Sequence, residues 1–306
     1  MMIAAAGDGF IHPDNDSTVW RGRFTWSGDP RTAADFDWLV DYLGSCPKDH
    51  AIMGDALLAL SAMNGLGSND RTLAYLEALI SAMKSDKPRR IRYAALRAVL
   101  DSRMTLADLN SIEDEETRNL LLTKLSPALL TATRPDPGAR HAESGPDYWR
   151  DDAYLRVIMA LASNSQWCTR ILTDGHIEHC IFTLQNLGKD SAAPFHLAAI
   201  FGRVRALSPD APAFDAVTEA QFSCLAKLAW QSVLDFKLYD EDECIRAFPT
   251  VVNFTGQLKA IPISDLEDIR RNVGLARDKL KRRNKPREIV SALKDYYNTL
   301  TVLTQT

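Results

Sequence analysis

Apolar residues recur at helical spacing along almost the whole chain, while the alternation of β-branched residues that a strand needs is nearly absent. That pattern restricts the chain to an all-α architecture. The segment "ADFDWLVDYLG" places Phe36, Leu39, Val40 and Leu43 on one face and stops at Gly44, a residue suited to a helix C-terminus. "HAIMGDALLALSAMNG", "NDRTLAYLEALISAMK", "KPRRIRYAALRAVLDS", "EETRNLLLTKLSPALLTA" and "DDAYLRVIMALAS" repeat the period. Start signals accompany several of them: Asn69 or Asp70 before "RTLAYLEAL", Pro88 in a first turn, and Ser264 with Glu267 as a capping box. The first 34 residues, rich in Gly, Pro, Asp and Ser, have no sustained period and read as an irregular tail or cap.

A chain of 306 residues that is 46% hydrophobic can bury a substantial core. With 36 basic residues against 40 acidic ones, it carries no global field that would draw it to nucleic acid or anionic lipid. Its five cysteines, Cys46, Cys168, Cys180, Cys224 and Cys244, are widely spaced and include no C-x-x-C pair, which favours reduced thiols over a disulfide framework. "MMIAAAGDGF" lacks the basic n-region of a signal peptide, and no run of about 18 apolar residues is present to span a bilayer. The expectation is a soluble cytoplasmic or nuclear protein without a cofactor.

The helices look like one unit reused. "GDALLALSAM", "YAALRAVLDS", "AYLRVIMALA" and "LAAIFGRVRA" are each dense in Ala and Leu, with Leu57 and Leu96 separated by 39 positions and Ile158 and Ile200 by 42. Such a period belongs to helical solenoids. The middle interval is longer because a Pro/Gly-rich stretch, 131–150, intrudes as a loop, which a solenoid tolerates because each repeat touches only its neighbours. The organisation expected is an irregular segment 1–34, repeats over 35–207 with the inserted loop 131–150, and a C-terminal helical region, 213–306, capping the array.

One stretch carries the fold and the candidate chemistry together. "RILTDGHIEHCIFTL" reads as the end of a short helix from about Ser165 to Thr173, a break at Asp174-Gly175, and a longer helix from His176 to Leu187. It resembles an armadillo repeat, with Gly175 at the hinge, Ile177 as the apolar anchor and Ile181, Phe182, Leu184 and Leu187 as the buried face. "RDDAYLRVIMALASNSQWCTRILTDGHIEHCI", "KPRRIRYAALRAVLDSR" and "GDALLALSAMNGLGS" further resemble segments of the large armadillo-like families of mushroom-forming fungi, over roughly Asp35 to Leu207. The resemblance implies an α-α superhelix that binds a partner in a concave groove. The positions at which nuclear-import adaptors of this fold carry Trp and Asn fall here at Leu58, Arg97, Arg156 and Phe201, and at Ala62, Asp101, Ala160 and Arg205. None is Trp or Asn, so a nuclear-import role is disfavoured. Arg97, Arg156 and Arg205, with Arg89, Arg90, Arg92 and Arg203 nearby, would instead make part of the groove basic and suit an acidic segment. The alternative is that these arginines only cover helix packing.

The same stretch offers His176, His179 and Cys180 on one helical turn, where i,i+3 and i,i+4 spacing would let two of them face one metal ion. A further ligand from elsewhere would be required. Without one the turn reads as a structural joint, with Cys180 in the core and the two histidines at the surface edge. "YDEDEC", Tyr239 to Cys244, is the nearest approach to an aspartate-rich metal motif, and "NDRTLAYLE" to the second metal motif of terpenoid synthases. They stand in reverse order, however, and Leu73 occupies the place of a needed hydroxyl. No G-x-S-x-G elbow, P-loop or dinucleotide fingerprint occurs. "LARDKLKRRNKPREI" adds a basic stretch that suits either an acidic partner or the C-terminal end of a helix. The expected function is therefore a non-enzymatic protein-binding scaffold. The alternative is an all-α enzyme using the acidic clusters or the His176/His179/Cys180 turn.

Overall fold

A computed structural model describes residues 30–45, 53–54, 56–57, 60, 69–101, 114–133, 148–187, 191–258 and 261–305. Among the described residues every regular element is a helix and none is a strand. The chain divides into two compact units, 1–145 and 146–306. This division falls inside the 131–150 stretch read as an inserted loop. Most of that stretch lies outside the described residues, but Thr131 and Ala132 end one helix and Tyr148 to Arg150 begin another.

The first unit contains α1 (Pro30–Gly44), α2 (Asn69–Ala82) and α3 (Arg89–Asp101). A longer helical stretch follows, made of α4 (Glu115–Leu120), a π-turn (Leu121–Leu125) and α5 (Ser126–Ala132). The helical start at Pro30 takes five residues from the segment read as an irregular cap, whose residues 1–29 lie outside the described ones. Phe36, Leu39 and Leu43 are buried as their spacing predicts, and so are Leu57, Leu76, Leu79, Ala95 and Leu129. Helix α2 packs against α1, α3 and α4, and α3 packs against α5.

The second unit runs α6 (Tyr148–Leu161), α7 (Ser165–Thr173), α8 (His176–Gln185), α9 (Ala193–Leu207), α10 (Glu219–Asp235), α11 (Asp242–Gly256), α12 (Ile263–Arg282) and α13 (Arg287–Leu303). Successive packing joins α6 to α9, α9 to α11 and α11 to α13, while α10 packs against α12. Within the first series the helices run parallel. Phe195 near the start of α9 meets Phe248 at the middle of α11, and Gly202 further along α9 meets Thr250 and Phe254 further along α11. Lys285 reaches Asp242 at the start of α11, and Tyr296 reaches Thr255 near its end.

Helix α9 is the centre of this unit, because nearly every residue from Ala193 to Val204 is buried. A cluster of edge-to-face rings surrounds it, with Phe201 against Phe214 and Phe222, and Phe222 against Phe254. Gly202 lets α11 approach closely: a Cβ there would lie 2.7 Å from the Thr250 carbonyl oxygen and 2.8 Å from Phe254 Cβ. Caps follow local chemistry. Thr218 and Gln221 form a complete capping box at α10. The box expected at Ser264 and Glu267 does not form, since α12 begins at Ile263 on the extended Pro262, whose carbonyl accepts from Asp265 and Leu266.

Candidate functional site

The joint in "RILTDGHIEHCIFTL" is built by two local devices. Asn164 ends the preceding turn and accepts hydrogen bonds from the backbone N–H groups of Gln166 (2.8 Å) and Trp167 (3.2 Å), which starts α7. Gly175 then takes a φ of 86°, the left-handed conformation that lets α8 leave at a new angle. Arg170 pairs with Asp174 across the break.

His176 is not at the surface edge: it is 1% exposed. The Tyr154 hydroxyl lies 2.7 Å from its Nδ1, the two rings stack at 5.9 Å, and His179 meets the Tyr154 ring edge-on at 4.9 Å. Tyr154, 22 residues upstream on α6, supplies what the sequence pattern left out. Cys180 lies in the core, and burial, helped by the nearby Glu178 charge, pushes its thiol well above the ordinary range. Cys168 is likewise pushed up by burial, to about 11, despite Arg203. Among the described residues no group of three or more His, Cys, Asp or Glu side chains is placed to hold a metal ion. Phe182, assigned to the buried face from its spacing, is 62% exposed, because Ile181 takes the inward position beside it.

The acidic segment Tyr239 to Cys244 lies on ion pairs that alternate along it. Glu241 binds Arg156 at 2.9 Å and Glu243 binds the same guanidinium. Asp240 pairs with Arg283, and Asp242 with Lys285 at 2.8 Å. Tyr239 is buried beneath the Arg283 guanidinium, 5.4 Å from the ring centre. Lys237 enters the segment with a φ of 52°. Four successive carboxylates are thus held by cations on two different elements, so the segment acts as a clasp between α6 and the α12–α13 turn. Beneath it Cys244 Sγ lies 3.9 Å from His196 Nε2 and 3.8 Å from Glu241 Oε2, with the thiol and imidazole both buried.

The residues expected to line a groove have separate fates. Phe201 is wholly buried in the ring cluster and is a core residue. Arg205 stands 4.5 Å over the Phe222 ring and 3.8 Å from Glu219, so its charge is used at the end of α9. Arg203 donates to the Ser163 carbonyl at 3.3 Å. In the first unit Arg97 is half-buried, while Arg92 is wholly buried and donates to the carbonyls of Thr131 and Ala132 at the end of α5. A guanidinium there satisfies carbonyls that the helix leaves unpaired and opposes its dipole. Leu58 and the side chain of Asp101 lie outside the described residues, as does Ala62.

The turn between α12 and α13 carries the basic stretch. Arg283 and Lys285 belong to the clasp, whereas Lys281, Arg282 and Arg287 are exposed. The turn is fixed by Asn284 at a φ of 50° and by a bond from the Lys285 N–H to the Leu280 carbonyl at 3.2 Å, with Pro286 starting α13. No helix among the described residues is long and apolar enough to cross a membrane. No family model matches the chain, and neither a curated protein nor a solved structure matches it.

Proposed function

We propose that the chain is a helical-repeat scaffold of armadillo-like type, an α-α superhelix that binds a protein segment along its inner helices without catalysing a reaction. The observation that carries this reading is a recurrent separation between bonded residues. Side-chain bonds join residues 39 and 40 positions apart at Arg92, 40 at Arg203, 38 at Lys227 and 43 at both Arg283 and Lys285. Separations near forty are what a repeat of about that length would give, and they support the reading. The parallel order of α9, α11 and α13 and the pairing of α10 with α12 fit two layers of such repeats. The Gly175 joint fits the steep angle between the first two helices of an armadillo unit.

The partner chemistry follows from the arginines. Arg156, with 12% of its side chain exposed, already holds two carboxylates of this chain, and Arg97 is half-buried on α3. An acidic segment that exchanges with Glu241 and Glu243 is the ligand such an arginine accepts. The test is fluorescence anisotropy with a labelled acidic peptide. Arg156→Gln, helical by circular dichroism, should weaken binding severalfold and flatten its salt dependence. Binding equal to that of the unaltered protein rejects the assignment of the face.

A further inference from the structure

The structure assigns a second acidic-segment site to the α12–α13 turn, separate from the inner-helix face proposed above. Lys279, Lys281, Arg282, Arg283, Lys285 and Arg287 fall within nine consecutive positions of a chain whose net charge is −4. The carboxylates nearby do not balance them. Asp278 is bound by Arg277 at 2.8 Å, Asp240 and Asp242 neutralise Arg283 and Lys285, and Glu288 stands alone at the start of α13. Lys281, Arg282 and Arg287 remain exposed to solvent.

The class of ligand is indicated by what the turn already holds. Arg283 and Lys285, two positions apart, grip Asp240 and Asp242, also two positions apart, of an acidic run that passes from a short 3-10 helix into the start of α11. The turn is therefore a binder of alternating carboxylates within its own fold. Its three exposed cations, Lys281, Arg282 and Arg287, offer the same charge to a segment from a partner. Presentation is rigid, because Asn284 and Pro286 hold the connection between two long helices and Arg283 is laid over Tyr239. A preorganised array loses less freedom on binding than lysines on a flexible tail. An acidic protein segment is favoured over nucleic acid because the groups that Arg283 and Lys285 already hold, Asp240 and Asp242, are carboxylates of a protein chain.

Anisotropy on the full chain with a fluorescein-labelled decapeptide of alternating Asp and Glu tests the site. Lys281→Glu, Arg282→Glu and Arg287→Glu together should weaken binding about tenfold or more, as loss and reversal of three charge contacts requires. The Gln counterparts should fall between this variant and the unaltered protein. Undetectable binding by the unaltered protein, or equal binding by the variants, overturns the site. Loss confined to Arg156→Gln overturns it too while leaving the inner-face function standing. Loss confined to the turn variants supports the turn and rejects the inner face. A single-stranded oligonucleotide bound more tightly than the peptide, and released by the same turn variants, replaces the acidic-segment assignment with a nucleic-acid one.

Discussion

Gly175 concentrates at one residue the difference between what local and distant chemistry determine. Its φ of 86° places an L side chain where Cβ crowds the following carbonyl. Gly175→Ala should therefore lower the unfolding free energy by about 1–2 kcal/mol, measured by urea denaturation. Asn, which tolerates the left-handed region, should cost less at the same position. The glycine was legible in "LTDGHIEH" because the signal is local: a helix ends, an acid and a glycine follow, and a new period begins. The fate of His176 was not legible. Its burial depends on Tyr154, a partner 22 residues away that no spacing rule connects to it. Arg92 hides its role for the same reason, since the carbonyls it caps belong to a helix end 39 and 40 positions downstream. Phe182 and Ile181 show a subtler limit. Adjacent positions on a helix differ by about 100°, and a short apolar run does not say which of two neighbours points inward.

Between elements, the close approach of α9 and α11 depends on a missing side chain. With a Cβ at position 202 only 2.7 Å from the Thr250 carbonyl oxygen, Gly202→Ala must push the helices apart or distort the Phe254 contact. It should destabilise the protein by about 1–3 kcal/mol, read as a lower denaturant midpoint at unchanged slope. The pairing of α10 with α12 is electrostatic as well as apolar. Lys227 bonds to Asp265 and to Asp268, each at 2.9 Å. The bond from Lys227 holds the Asp268 carboxyl below its ordinary value despite some desolvation, with Arg271 contributing in the same direction. A carboxyl depressed in the fold adds stability above its unfolded pKa, near 3.9, and loses it as pH falls through the lower folded value. Lys227 is raised by the same two bonds, so its contribution is present below about pH 10.4 and fades only as pH rises through the folded value. Lys227→Gln should therefore flatten the fall in stability on the acid side of about pH 4, as followed by denaturation midpoints across pH. Both aspartates are exposed to solvent screening, so added salt should shrink the difference from the unaltered protein.

For the molecule as a whole, where the chain can be cut depends on α9. Read from its periods, the chain carries repeats to Leu207, with a C-terminal helical region from Ala213 capping the array. By packing, one compact unit ends at 145 and the next begins at 146. Helix α9 is apolar all round because it is covered all round: α6, α7 and α8 lie before it in the chain, and α10 and α11 after it. Cutting after Leu207 would strip Phe214, Phe222, Phe248 and Phe254 from the neighbourhood of Phe195, Phe201 and Gly202. A span of 146–306 expressed alone should therefore keep its helical circular dichroism and unfold in one cooperative step. A span of 146–212 should lose that transition and bind a hydrophobic dye, because one whole face of its central helix is uncovered. If the shorter span folded as sharply as the longer one, α9 would not be the centre on which the unit closes.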